Sequence, residues 1–379
     1  MTDEHIDIAS PLTGEPEWQA MRESLVSGWI TQGPKVAEFE RLVSQRHHVA
    51  HAIAVTSCTT GLHLALVALG IGPGDEVIVP AFTWVATANA AVYCGATPVF
   101  VDVEPDSYNI DPEGVRAAVT PRTRAVIAVH LFGLCADMDA IADAVPDHVA
   151  IVEDAACAIG ADYRGRPAGG LGRAAAFSFH PRKIVTTGEG GMVTTADAEL
   201  AARLACLRNH GASVSEEDRH SSPQPWMLPD FEVLGFNYRM TDLQASVGIV
   251  QMAKLDDMLA ERRRRADWYS KRLVGIGWLR TPAVPEHATH SWQSYVTVVG
   301  SDAPAPRNEI MERLNQQGIQ TRPGTHAVPD LGWYRANFRT SLADYPVAGS
   351  LRDASMAIPL HNRMTDRDYE RVADALEAI

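Results

Sequence analysis

Through its first two thirds the chain alternates short apolar runs with segments of helix length. The runs are HAIAVTS (51–57), EVIVPAF (76–82), TPVFVDV (97–103), RAVIAVH (124–130), HVAIVED (148–154) and AAAFSFH (174–180). Between them lie TTGLHLALVALG (59–70), residues 83–94 and a helical segment near 136–144. Short runs with little polar alternation read as strands buried on both faces, and helix-length connections are what parallel neighbours require. The expected fold is therefore α/β, with a large, mostly parallel sheet between helices. Ligands of open α/β sheets bind outside the carboxyl ends of the strands. Thr56, Asp102, His130, Asp154 and His180 follow these runs, so that rim is the expected site.

The pattern changes near residue 250. QMAKLDDMLAERRRRADWYSKRL (251–273) reads as one long amphipathic helix. It leads into SYVTVVG (294–300), a helical stretch near 305–317 and a final helix near 365–378, as in a small α+β unit. The expected division is a large domain over 1–250, with an N-terminal arm, and a smaller C-terminal domain over 251–379. A length of 379 residues suits two such units. GASVSEEDRHSSPQPWMLPD (211–230), rich in Ser, Pro and charge, reads as a surface loop.

Charge and cysteine usage narrow the function. The net charge of −14 disfavours nucleic acid and anionic membranes as general partners. Five cysteines, an odd number with no C-x-x-C pair, read as a reduced cytoplasmic set rather than a disulfide framework or a metal site. The acidic start MTDEHIDIAS lacks the apolar core of a signal peptide. Residues 77–101 carry no charged side chain over a length that could span a bilayer, but Pro80, Asn89, Gly95 and Pro98 punctuate them. Strand, helix and strand in a soluble core is the better reading. GIGPGD (70–75) lacks the dinucleotide-binding spacing and precedes a strand rather than a helix, and there is no P-loop or H-E-x-x-H motif. Asp137 and Asp139 read as helix-start acids rather than metal ligands. Arg262–Arg265 reads as a solvated helix face.

SFHPRKIVTTGEGGMVTT (178–195) carries more information. It sets Lys183 just past a buried strand, before a glycine-rich turn. Upstream, VEDAA (152–156) puts Asp154 at the end of another buried strand, where a carboxylate needs a cation or hydrogen-bond donors. TSCTTG (56–61) supplies hydroxyls and backbone N–H groups at a helix start, suited to a phosphate. A lysine, a buried aspartate and a phosphate cradle are together what pyridoxal phosphate requires.

With GWITQGPKVAEFE (28–40), GDEVIVPAFTWVATANAAVYCGATPVFVDVEPDSYNID (74–111), HLFGLCADMDAI (130–141), GFNYRMTDLQASVG (235–248) and GIQTRPGTHAVPDLGWY (318–334), these motifs cover most of the chain. The sequence resembles the sugar aminotransferases of the DegT/StrS type. The resemblance implies the aspartate aminotransferase-like fold of PLP-dependent transferases, with pyridoxal 5'-phosphate held as a Schiff base on Lys183 and pyridoxamine phosphate as its aminated form. Lys183 matches the Schiff-base and proton-transfer lysine, and Asp154 the partner of the pyridine nitrogen. Thr59, Thr60 and Ser178 match phosphate-binding positions, and Trp84 the aromatic that stacks on the ring. Cys157 stands where Gln or His is common beside the ring hydroxyl. Asn237 matches a residue reaching the neighbouring subunit's cofactor, which implies a homodimer with shared sites. His180 and His326 are expected on the substrate side.

The implied reaction carries an amino group from L-glutamate to a keto sugar, most often a nucleotide-linked 4-keto-6-deoxyhexose. An L-glutamine-dependent aminotransferase of a keto-cyclitol is the alternative, and a non-catalytic regulatory member of the fold a distant one. Related PLP-dependent sugar dehydratases carry histidine at the position of Lys183, so the lysine argues against dehydration.

Overall fold

The computed structural model describes residues 5–213, 226, 228 and 230–379. Most of the loop expected at 211–230, and the first four residues, lie outside that set.

Seven strands form the main sheet: β1 (His51–Val55), β2 (Glu76–Pro80), β4 (Thr97–Val101), β5 (Thr123–Val129), β6 (Ala150–Asp154), β9 (Ala174–Ser178) and β10 (Gly191–Thr195), in the order β1-β10-β9-β6-β5-β2-β4. From β9 to β4 every pairing is parallel, and β10 alone runs against its neighbours. The six expected apolar runs account for every strand but β10. That strand, GMVTT, follows β9 after a connection with no helix of its own and returns antiparallel beside it. Two short strands, β7 (Asp162–Tyr163) and β8 (Arg166–Pro167), form a hairpin outside the sheet.

Both faces of the sheet are covered. On one side Val77, Val79, Ile127, Val152 and Ala176 pack with the helices Cys58–Ala68 and Ala86–Tyr93. On the other, Ile78, Val126, Ala128, Ala175 and Phe177 pack with Phe39, Val43, Met138 and Leu259. This two-sided burial is why the runs carry no alternation. The uncharged stretch 77–101 resolves into β2, a two-residue strand β3 (Phe82–Thr83), the helix Ala86–Tyr93 and β4. Among the described residues no helix is long and apolar enough to cross a membrane.

A four-stranded sheet follows, built from β11 (Leu279–Arg280), β13 (Tyr295–Val299), β14 (Arg322–Pro323) and β16 (Ser355–Ile358). Tyr269, Tyr295, Ile310, Leu314 and Tyr369 form its apolar centre with the helices Arg307–Gln316 and Asp366–Glu377. A further strand, β12 (Ala288–Thr289), pairs with β7, and β15 (His326–Ala327) returns to pair with β3.

Two expectations need correction. The helix expected over 251–273 is two helices, Asp242–Ala253 and Leu255–Leu273, divided at Lys254. The arginines 262–265 do not form one solvated face. Arg262 is buried, and its guanidinium donates to the carbonyls of Trp292 (2.8 Å) and Leu360 (3.0 Å) and to Asn362 Oδ1 (2.9 Å). Arg265 is also buried; it bonds Glu261 at 2.7 Å, pairs with Asp366 and lies over the Tyr369 ring. A guanidinium can fill carbonyl groups at an element junction as readily as it meets water.

Candidate active site

The start of the helix Cys58–Ala68 sets one wall. Ser57 caps it, accepting from Thr60 N at 3.1 Å, while Thr60 Oγ1 accepts from Ser57 N at 3.0 Å and donates to Ser57 O at 2.8 Å. This capping box occupies the Thr60 hydroxyl. The half-buried Thr59 hydroxyl makes no hydrogen bond among the described residues, so it is the one left for a ligand. Gly191 explains part of the glycine-rich turn: a Cβ there would lie 2.4 Å from the Ser57 carbonyl carbon and 2.6 Å from Cys58 N. Gly188 has φ +83°, a conformation that strains any residue with a Cβ. Because Gly191 is also the partner of Ser178 across β9 and β10, Ser178 lies beside the same helix start.

Asp154 ends β6 and is buried. Its Oδ2 accepts from the Thr87 hydroxyl at 2.7 Å, and its Oδ1 from Ala156 N at 3.2 Å, with the Cys58 thiol 3.9 Å away. Thr87 in turn meets the Thr83 hydroxyl at 3.1 Å. That chain of hydroxyls ties Asp154 to the segment carrying Trp84. Trp84 is 59% exposed, a large apolar residue left open. Its neighbour is His326, edge-on at 5.4 Å and exposed, brought there by the β15–β3 pairing.

Lys183 sits in a turn closed by its N–H to His180 O at 2.8 Å, and Thr187 N returns to Phe179 O at 3.0 Å. The Lys183 amine lies 3.1 Å from the Cys157 thiol. Burial pushes its pKa down, but the sulfurs of Cys157 and Cys58 and the Asp154 carboxylate outweigh this and hold it above the ordinary lysine value. His180 Nδ1 accepts from Arg182 N at 3.2 Å. Burial, with the charges of Lys183 and Arg182, holds His180 below its ordinary pKa despite Glu189. Asn237 is exposed, next to Tyr238, whose carbonyl accepts from Thr56 N at 3.0 Å.

Lys183, Asp154, Cys157, Thr59, Ser178, Trp84 and His326 thus gather around one rim of the sheet. Two other strand-end residues serve the fold instead. Asp102 accepts from Val347 N (2.9 Å) and Ala348 N (2.8 Å) at the start of the helix Pro346–Ala354. His130 Nε2 bonds Glu153 at 2.9 Å, and its Nδ1 accepts from Ala136 N at 3.2 Å. Glu153 also accepts from Gly169, Leu171 and Gly172. Asp137 accepts from Ala140 N as a helix cap, and Asp139 pairs with Arg164 and Arg166. Among the described residues no group of His, Cys, Asp and Glu could hold a metal ion. Sequence reasoning missed Thr87: its partner Asp154 lies 67 residues away, and nothing in the local sequence signals the pairing.

A buried carboxylate, an amine and a helix start facing one rim define an aminotransferase-type site, and the comparisons agree. The profile of the DegT/DnrJ/EryC1/StrS aminotransferase family matches residues 11–377, and the chain belongs to that family. It is 40% identical to the GDP-perosamine synthase of Caulobacter vibrioides over 377 residues, which cover 99% of this chain and 98% of that protein. Its fold matches the putative sugar aminotransferase Spr1654 of Streptococcus pneumoniae in the PMP-form, with TM-score 0.91, 30% identity, and 99% and 97% of the two chains covered. The PLP-form of that protein also gives TM-score 0.91. DesV of S. venezuelae, solved in complex with a ketimine intermediate, matches with TM-score 0.86 and 36% identity over 96% and 93% of the chains.

Proposed function

We propose that this protein transfers the amino group of L-glutamate to a nucleotide-linked 4-keto-6-deoxyhexose in amino-sugar biosynthesis, using pyridoxal 5'-phosphate. The reading places it in the cytoplasm as a homodimer with shared sites, in which Asn237 reaches the neighbouring subunit's cofactor. It divides the chain at about residue 250, close to the break at Lys254, into a cofactor-binding part and a smaller part.

The observation that carries the reading is that the Lys183 amine, 3.1 Å from Cys157, and the Asp154 carboxylate, 3.9 Å from the Cys58 thiol at the start of the helix Cys58–Ala68, lie on one rim of the sheet. The residues present fit the cofactor. Asp154 accepts one hydrogen bond at 2.7 Å and one at 3.2 Å, with the Cys58 thiol 3.9 Å away, whereas a carboxylate has about four lone-pair sites, so capacity remains for a ring N–H. The Thr59 hydroxyl, which has no partner among the described residues, and the first N–H groups of the helix suit a phosphate, which the positive end of the helix also favours.

Bound there, pyridoxal phosphate supplies a carbonyl carbon that accepts an amine and a ring that withdraws electrons. This chain's residues do the rest. Asp154 holds a proton on the ring nitrogen. Trp84 covers a ring face, and Thr59 and Ser178 hold the phosphate, with Thr60 setting the cap. Lys183 would carry the cofactor, and its free amine would take a proton from the donor's Cα. Cys157 stands beside that amine, and His180 and His326 face the substrate.

The 40% identity to a protein named for a GDP-linked amino sugar supports a nucleotide-linked acceptor. Incubation with glutamate and a panel of UDP-, GDP- and TDP-linked 4-keto-6-deoxyhexoses tests it. An aminated nucleotide sugar, detected by mass, is the expected product. Turnover of a keto-cyclitol with glutamine, and of no nucleotide sugar, would overturn the reading.

A further inference from the structure

Cys157 is set apart from the other four cysteines by its neighbour. Burial and the Asp154 carboxylate push the Cys58 thiol well above its ordinary pKa, and its sulfur donates to Ala176 O at 3.4 Å. Burial pushes Cys94 up to about 11 and also raises Cys135 and Cys206. Those four are held as thiols. The Cys157 sulfur is half-buried and lies 3.1 Å from the Lys183 amine, which makes no other hydrogen bond among the described residues. Cysteines react as thiolates, and here an amine stands within hydrogen-bond reach of the sulfur to exchange its proton.

We propose that Cys157 and Lys183 are a modification site, at which a peroxide joins the sulfur to the nitrogen and so withdraws the lysine from the cofactor. In the first step the Cys157 thiolate attacks hydrogen peroxide. The O–O bond breaks, one oxygen stays on sulfur as a sulfenic acid, and the Lys183 ammonium gives a proton to the departing hydroxide, forming water. Sulfur loses two electrons and the peroxide gains them. This leaves Lys183 as a neutral amine in contact with an electrophilic sulfur. In the second step the amine attacks that sulfur, an S–N bond forms, and the S–O bond breaks to release a second water. Sulfenic acids condense with a backbone nitrogen in the same way, and that step is reversible. An external thiol attacks the sulfur and frees the amine, and a second thiol returns Cys157 to its reduced state.

The consequence for the cofactor rests on the role proposed for Lys183; the bond itself does not. A lysine already bonded to the cofactor has no free amine to give, so the loaded state is protected. The vulnerable states are those in which Lys183 is free.

The test treats the full chain, with and without bound pyridoxal phosphate, with hydrogen peroxide and maps its peptides by mass. The cofactor-free chain is expected to yield the peptides of Cys157 and Lys183 joined, two hydrogens lighter than their sum. It should lose pyridoxal phosphate uptake, read by absorbance, and regain it with dithiothreitol. The loaded chain should show no joined peptide. Recovery of Cys157 as a sulfinic acid, or in a disulfide with Cys58, with Lys183 unmodified, would overturn the proposal. Failure of the untreated chain to take up pyridoxal phosphate would instead overturn the role of Lys183, while the joined peptide would still report the S–N bond.

Discussion

The Thr87 hydroxyl donates to Asp154 Oδ2 at 2.7 Å, and the two residues belong to different layers of the molecule. Asp154 ends a central strand, whereas Thr87 lies in the first turn of the helix that follows Trp84. The contact fixes the carboxylate relative to the segment expected to cover the cofactor. Hydrogen bonds to charged groups contribute about 1.5–3 kcal/mol. Thr87→Val keeps the shape and removes the donor, so affinity for pyridoxal phosphate should fall roughly ten- to hundredfold. Fluorescence or absorbance titration measures it; unchanged affinity would mean that Thr87 only packs.

Stability should fall as pH drops below neutrality. His47 and His290 are buried, and burial lowers them to about 4 and about 3. Between pH 6.5 and 4 the unfolded chain binds protons that the folded chain refuses, so each imidazole removes up to roughly 1.4 kcal/mol per pH unit on acidification. Glu153 adds to this at lower pH. Burial raises it, but His130 and the amides of Gly169 and Gly172 outweigh burial and hold it below its ordinary value. Its contribution is present above the ordinary carboxylate range and is lost as pH falls through its folded pKa. Urea unfolding at pH 7, 6 and 5 reads the slope, and His47→Gln should flatten it. Equal slopes in the two proteins would contradict the assignment.

Neighbouring arginines on one helix should behave differently. Arg262→Met leaves the carbonyls of Trp292 and Leu360 without their donor, at about 1–3 kcal/mol for each buried group. Arg264, with its side chain 59% exposed, bonds Glu261 on the surface, and Arg264→Met should leave the unfolding midpoint nearly unchanged. Comparison of unfolding midpoints decides; similar losses in both would remove the distinction.

Much of this arrangement was legible in the chain. Strands buried on both faces leave uninterrupted apolar runs, and polar residues at their ends mark a rim, so β6 with Asp154 and the turn with Lys183 could be placed. What the runs do not encode is which rim residues turn inward. Asp102 and His130 stand at equivalent strand ends, yet one caps a helix over two hundred residues away and the other bonds Glu153. Those partners are set by long-range packing. The same holds for Arg262, whose acceptors lie 30 and 98 residues further along the chain. Thr60 shows a local rival at work: a hydroxyl suited to phosphate is equally suited to a capping box.

The central claim is that Lys183 and Asp154 form an aminotransferase centre, and the donor half-reaction tests it most directly. Protein loaded with pyridoxal phosphate is mixed with L-glutamate and no acceptor, and its absorbance is followed. The account predicts loss of the yellow band, one 2-oxoglutarate released per site, and neither change in Lys183→Ala. Persistence of the yellow band with no 2-oxoglutarate, or release by Lys183→Ala at the rate of the unaltered protein, would contradict it.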